Sequence, residues 1–246
     1  MRRHLQKRLY AQLGVPSSTF RMSGEQLNGN VSELVVVRHG QTDWNAQGVL
    51  QGQAESSLDD VGKEQALAVA DYIARKIPDI AATYSSDLRR AADTANIIAR
   101  RCCIPQVHLM EGLRERHLGK LQGLPRKDAQ RLEPEAYKIF VAHLGDKPIP
   151  GGGESINDLS SRAKLCLEEI AHNHLGERVL VITHGGVVRA LHRHATGMSP
   201  TGRILNTSIN IFRITNENVW ALQCWGDTSH LSPSIRAAPM SDQDSA

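Results

Sequence analysis

Between residues 33 and 230 the chain alternates short aliphatic runs with stretches whose apolar positions recur every three to four residues. Leu34–Val37 is uninterrupted aliphatic sequence, the pattern of a strand covered on both faces. "IAATYSS" (80–86) and "RVLVI" (178–182) read as further strands. Each is followed by a helical pattern. Asp59 and Asp60 open one that runs to about Arg75, with Val61, Val69 and Ile73 on one side and Pro78 ending it. "DLRRAADTANIIARR" (87–101) is a second. Ser155 and Asp158 give a capping signal ahead of Ile156, Leu159, Ala163, Cys166 and Ile170, and "VVRALHRHA" is a fourth. Near the end, "TSINIFRI" and "VWALQCW" flank "TNEN", which predicts an antiparallel hairpin on a sheet edge. Residues 105–150 mix short apolar pieces with Pro125, Pro134, Pro148 and Pro150, so an irregular cap with one or two helices is expected there. The fold class is α/β: a three-layer α/β/α sandwich with a mostly parallel sheet, one antiparallel edge hairpin and a small cap insertion.

The periodic region has no internal linker, so residues 33–231 are expected to form one domain, with a basic extension at 1–32 and a Ser/Pro/Asp-rich tail at 232–246. The extension carries Arg2, Arg3, Lys7, Arg8 and Arg21 with no acid before Glu25, and Leu5, Leu9 and Leu13 at helical spacing. Two readings stand side by side: an organelle transit peptide, or a basic tail with Met22 as an alternative start. They correspond to a chloroplast or mitochondrial location and a cytoplasmic one.

Composition narrows the function classes. At 246 residues the chain can bury a sizeable core. A net charge of +3 with 4% aromatics argues against nucleic acid. No apolar run approaches a membrane span. Of the four cysteines, Cys102 and Cys103 are adjacent and none forms a CxxC pair, which favours an intracellular, reducing compartment over a disulfide framework.

The chemistry concentrates where strands end. "VVVRHG" and "VITHGG" both deliver His-Gly from the end of an aliphatic run, placing His39 and His184 at strand tips. In open α/β sheets ligands bind beyond such ends. If the two strands are neighbours, the imidazoles converge. Arg38 precedes His39, and Arg90 falls in the first turns of a helix, where free N–H groups favour anions. Two arginines and two imidazoles outline a phosphate pocket, although Arg89 and Arg90 also fit a solvated helix face. The chain has no GxxxxGK[ST] loop and no GxGxxG after a strand. Its one D-x-D lies in the tail, and the H-x-H pairs at His172/His174 and His192/His194 are poor metal pairs on a helix. No metal and no cofactor are expected.

"VVVRHGQTDWN" (35–45), "LQGQ" (50–53), "GKEQA" (62–66), "YSSDLRRAADTA" (84–95), "GLRERHLGKLQG" (112–123), "PGGGES" (150–155) and "VITHGGVVRAL" (181–191) occur in that order. Together they resemble the histidine phosphatase superfamily in its phosphoglycerate mutase-like branch, with the flavour of plant phosphoglycerate mutase-like proteins and metal-independent phosphoserine phosphatases. The resemblance implies that His39 is the nucleophile and that Arg38, Arg90 and His184 cradle the phosphoryl oxygens. It further implies that Glu115 protonates the leaving oxygen, and that Asn45, Gln51, Gly52 and Gly185 line the substrate side. The implied function is a metal-independent phosphomonoesterase for a small phosphorylated metabolite, phosphoserine leading. The alternatives are cofactor-dependent phosphoglycerate mutase activity and a silent phospho-ligand binder. A homodimer is the assembly allowed for. The compact stretch after Glu115 and the G-x-L-Q-G form favour the phosphatase. One departure is "AESSLDD" (54–60), where Ser57 stands before Leu58 in place of the family's usual Pro-Leu.

Overall fold

The structure is a computed structural model that describes residues 27–142 and 144–236. The N-terminal helical pattern and the last residues of the tail lie outside them. One six-stranded sheet runs through the domain in the order β3-β2-β4-β1-β5-β6. Its strands are β1 (Val31–Arg38), β2 (Ile80–Ser85), β3 (Val107–Leu109), β4 (Arg178–Thr183), β5 (Ile209–Thr215) and β6 (Trp220–Asp227). The first four run parallel, and the β5–β6 hairpin is antiparallel at one edge.

The aliphatic run at β1 is explained by its position. Alternate residues point to opposite faces of a strand. Leu34 and Val36 join one core with Leu159, Leu167 and Val188. Val35 and Val37 join the other with Val69, Ile73, Ala95 and Ile98. Four helices supply these partners: α2 (Asp60–Lys76) and α3 (Arg89–Arg101) on one face, α6 (Ile156–Asn173) and α7 (Gly185–Thr196) on the other. Asp59 caps α2 by accepting from the Gly62 N–H at 2.7 Å. Ser155 and Asp158 form the capping box of α6.

The cap region holds two helices, α4 (Arg126–Leu132) and α5 (Pro134–Ala142), and two single-turn 3-10 segments. Pro125 sits just before α4 and Pro134 opens α5, where a missing N–H costs nothing. Two of the four prolines that read as irregularity are thus helix starts, while Pro148 and Pro150 lie in the non-helical stretch before α6. Leu50, Leu118, Leu121 and Phe140 give this region its own small core.

The first strand begins two residues ahead of residue 33. Val31 and Ser32 already belong to β1, paired with Thr215 and Ile214, and Ser32 is fully buried. The pattern there is polar, and pairing with β5 decides it. The tail's first residues also dock: the Gln65 amide donates to the Ile235 carbonyl at 3.0 Å.

Candidate active site

β1 and β4 are neighbours, with Arg38 opposite Thr183. The residues that follow, His39 and His184, therefore leave the sheet side by side, their rings 5.1 Å apart at 58°. The His39 N–H donates to the Thr183 carbonyl at 2.9 Å, and its own carbonyl accepts from Asn206 at 2.9 Å. Its Nδ1 lies 2.7 Å from the Gly40 carbonyl, an acceptor. Nδ1 therefore carries the proton, and Nε2 keeps its lone pair.

Gly40 is required by packing. A Cβ there would lie 2.5 Å from the Gly62 carbonyl oxygen, so the glycine lets the start of α2 press against the strand tip. Gly186, which sequence reasoning passed over, has a sharper role. A Cβ there would lie 2.3 Å from Glu115 Oε1. The Gly186 N–H donates to Glu115 Oε2 at 2.9 Å, and the Arg116 N–H donates to Oε1 at 2.8 Å. The start of α7 thus seats the carboxylate.

The arginines separate. Arg89 is exposed, 3.6 Å from Asp93. Arg90 is only 1% exposed. It donates to the carbonyls of Gly52 at 2.7 Å and Ala54 at 2.9 Å, fastening the loop that carries Gln51 and Gly52. Burial, with Arg38 close by, pushes its guanidinium down to about 10. Arg38 donates to the Ile204 carbonyl. Two buried donors here, Arg90 Nε and His184 Nδ1, find no acceptor among the described residues. Buried donors without partners are costly, so such a cluster suits an anion. Both histidines sit well below the ordinary imidazole value, chiefly through burial and then through the positive charges of Arg90 and Arg38. Both are held neutral.

A cavity of about 480 Å³ opens over these groups. Arg38, His39, Asn45, Gln51, Gly52, Arg90, Glu115 and Gly185 line it, whereas His184 is fully buried beside the His39 ring and is not part of the lining. Asn45 Oδ1 receives Thr42 and Asn206, closing the capping box of the short helix α1 (Asp43–Gln47). The departure at Ser57 does not reach the cavity: Ser57 is exposed, and its neighbour Ser56 donates to Gln51 at 2.6 Å. Of the basic residues that flank Glu115, Arg114 pairs with Asp87, and the His117 N–H donates to Glu154. Arg116 and Arg126 line the cavity, with Arg116 Nη2 and Arg126 Nε unpartnered among the described residues and Arg126 5.1 Å from the Phe140 ring centroid.

Sequence reasoning also missed Arg162. From α6 it donates to the carbonyls of Gly112 at 3.0 Å and Arg114 at 2.9 Å while paired with Glu154 at 2.8 Å. It holds the turn on which Glu115 rides. No motif marks it, since it sits on the polar side of its helix.

The sequence model of the histidine phosphatase superfamily (branch 1) matches residues 34–228. The chain belongs to this superfamily. It is 47% identical over 207 residues to a metal-independent phosphoserine phosphatase of Arabidopsis thaliana, covering 84% of this chain and 86% of that one. It is 46% identical over 201 residues to phosphoglycerate mutase-like protein 4 of the same plant, covering 81% and 87%. Among solved structures, phosphoserine phosphatase of Entamoeba histolytica, in complex with 3-phosphoglyceric acid, superposes with a TM-score of 0.70 at 28% identity, covering 82% of this chain and 100% of that one. The chain is accordingly a phosphoric monoester hydrolase of the histidine phosphatase type. No helix among the described residues is long and apolar enough to cross a membrane.

Proposed function

We propose that this phosphatase hydrolyses a small phosphorylated metabolite, phosphoserine first among candidates, through a phosphohistidine on His39. The observation that carries the reading is the neutral His39 ring. Its Nδ1–H is committed to the Gly40 carbonyl, and its Nε2 lone pair is left for attack beside buried, unpartnered donors. Nε2 forms a bond to phosphorus as the bond to the serine oxygen breaks, and Glu115, entering the step as the carboxylic acid, gives that oxygen its proton and is left as the carboxylate. Arg38, Arg90 and His184 stabilise the charge spread over the phosphoryl oxygens. Water then attacks phosphorus, the N–P bond breaks, and Glu115 takes the water's proton. Arg126 and Arg116, on the cavity wall, offer guanidinium nitrogens to the substrate carboxylate.

Phosphatase is favoured over mutase because the described residues between the Glu115 turn and α6 hold no more than a single-turn 3-10 segment and the short helices α4 and α5, leaving little to keep water from the phosphoenzyme. The test is a panel of phosphoserine, 3-phosphoglycerate and sugar phosphates with EDTA present, scoring phosphate release and isomerisation separately. Phosphoserine should turn over, and His39→Ala should lose both activity and the acid-labile phosphoenzyme. Dominant isomerisation of 3-phosphoglycerate, or labelling of the His39→Ala protein, would refute the reading.

A further inference from the structure

Ser86 lies just beyond β2 and is fully buried. Its backbone N–H donates to Ile182 on β4, which fixes the residue against the strand that ends in His184. Its hydroxyl oxygen stands 2.8 Å from His184 Nε2. The same oxygen accepts the Leu88 N–H at 3.3 Å. These contacts restrict where the protons sit.

A neutral imidazole carries one N–H. If it were on Nε2, the serine oxygen would receive two N–H donors. Its own proton would then have no acceptor among the described residues. Nδ1 would be a bare lone pair among Arg90, Arg38 and His39, and would repel an arriving phosphate oxygen. With the proton on Nδ1, the serine hydroxyl and Nε2 are both satisfied. Leu88 N–H donates to the serine oxygen, the serine O–H donates to Nε2, and Nδ1–H is left as a buried donor with no acceptor among the described residues.

We propose that Ser86 is a positioning residue that fixes His184 as its Nδ1–H tautomer. His184 then serves the phosphoryl group as a neutral hydrogen-bond donor aimed by the serine. This deepens the phosphohistidine reading and assigns a job to the serine ahead of Asp87-Leu88, which the residue roles above leave idle. The same local geometry keeps the cradle from carrying a third full positive charge, because the ring donates without being protonated.

The tautomer can be read without any substrate, so an error about the substrate leaves this test intact. Long-range nitrogen–proton correlation spectra of the nitrogen-15 histidine-labelled full chain at pH 7.5 distinguish the tautomers, with a His184→Asn sample to assign the ring. The expected result is an Nδ1–H pattern for His184. An Nε2–H pattern would overturn the proposal. Inorganic phosphate, titrated as a competitive inhibitor, supplies the functional arm. Ser86→Ala should weaken its binding about tenfold, and Ser86→Thr, which keeps the hydroxyl, should recover most of that. Equal weakening in both variants, or none in Ser86→Ala, would show that the serine only fills space. If neither variant folds, the spectrum of the unmutated chain still decides.

Discussion

The seat of Glu115 on the α7 backbone offers a test that separates acid catalysis from everything else in the pocket. In Gly186→Ala the new Cβ would lie 2.3 Å from Glu115 Oε1 and 3.1 Å from its carboxyl carbon. Ordinary contact begins near 3.4 Å, so the carboxylate must retreat by about 1 Å, and a shift of that size in a reacting group costs on the order of 100-fold. The fold should tolerate the change. Gly186 is helical, and alanine in a helix is favoured over glycine by up to about 1 kcal/mol. The assay compares kcat/KM for phosphoserine with that for p-nitrophenyl phosphate, since kcat/KM reports steps through phosphoryl transfer. A serine alkoxide needs the proton, whereas nitrophenolate leaves without it. The expected loss is therefore about 100-fold on phosphoserine and under about fivefold on the aryl ester. Equal losses on the two substrates in a folded protein would refute Glu115 as the acid. So would no loss on either.

Arg162→Ala removes the clamp on the Glu115 turn and leaves Glu154 without its partner. We expect a loss of about 2 to 4 kcal/mol of stability by urea unfolding, and kcat falling by more than KM rises; unchanged kcat would contradict the clamp. Stability should also fall on acidification below pH 6.5. His39 and His184 are held below their unfolded value, so beneath it the unfolded chain binds protons that the native chain refuses, by at most about 1.4 kcal/mol per histidine per pH unit. Above pH 6.5 neither contributes. A His39→Asn/His184→Asn protein should show a shallower loss between pH 7.5 and 5.5 in urea midpoints, and an unchanged slope would refute the assignment.

Much of the architecture was legible because it depends on local pattern. Aliphatic runs buried on both faces announced the parallel strands, and helical spacing with Asp59 and Ser155 at the starts announced the main helices. Elements held by context were not. β3 is three residues long, and α1 buries no side chain and exists through its Thr42–Asn45 cap. The paired His-Gly tips, with the ordered motifs around them, marked His39, His184, Arg38 and Arg90 because each motif keeps its residues close in sequence.

Which groups touch was decided elsewhere. Residue order cannot say that β4 lies beside β1, and only that adjacency sets His39 against His184. Nor does it show the burial of two adjacent arginines, of which Arg89 is exposed and Arg90 buried over the Gly52 loop. Glu115, Gly186 and Arg162 come from segments far apart in the chain, and the carboxylate's position is the sum of what those segments leave open. By itself the sequence determined the strands, the helices and the residue types at their tips, because hydrophobic period and capping act over a few neighbours. The tertiary structure alone decided the neutral histidines, the unpartnered buried donors and the seat of the Glu115 carboxylate, because burial and distance between remote segments set charge and hydrogen bonding.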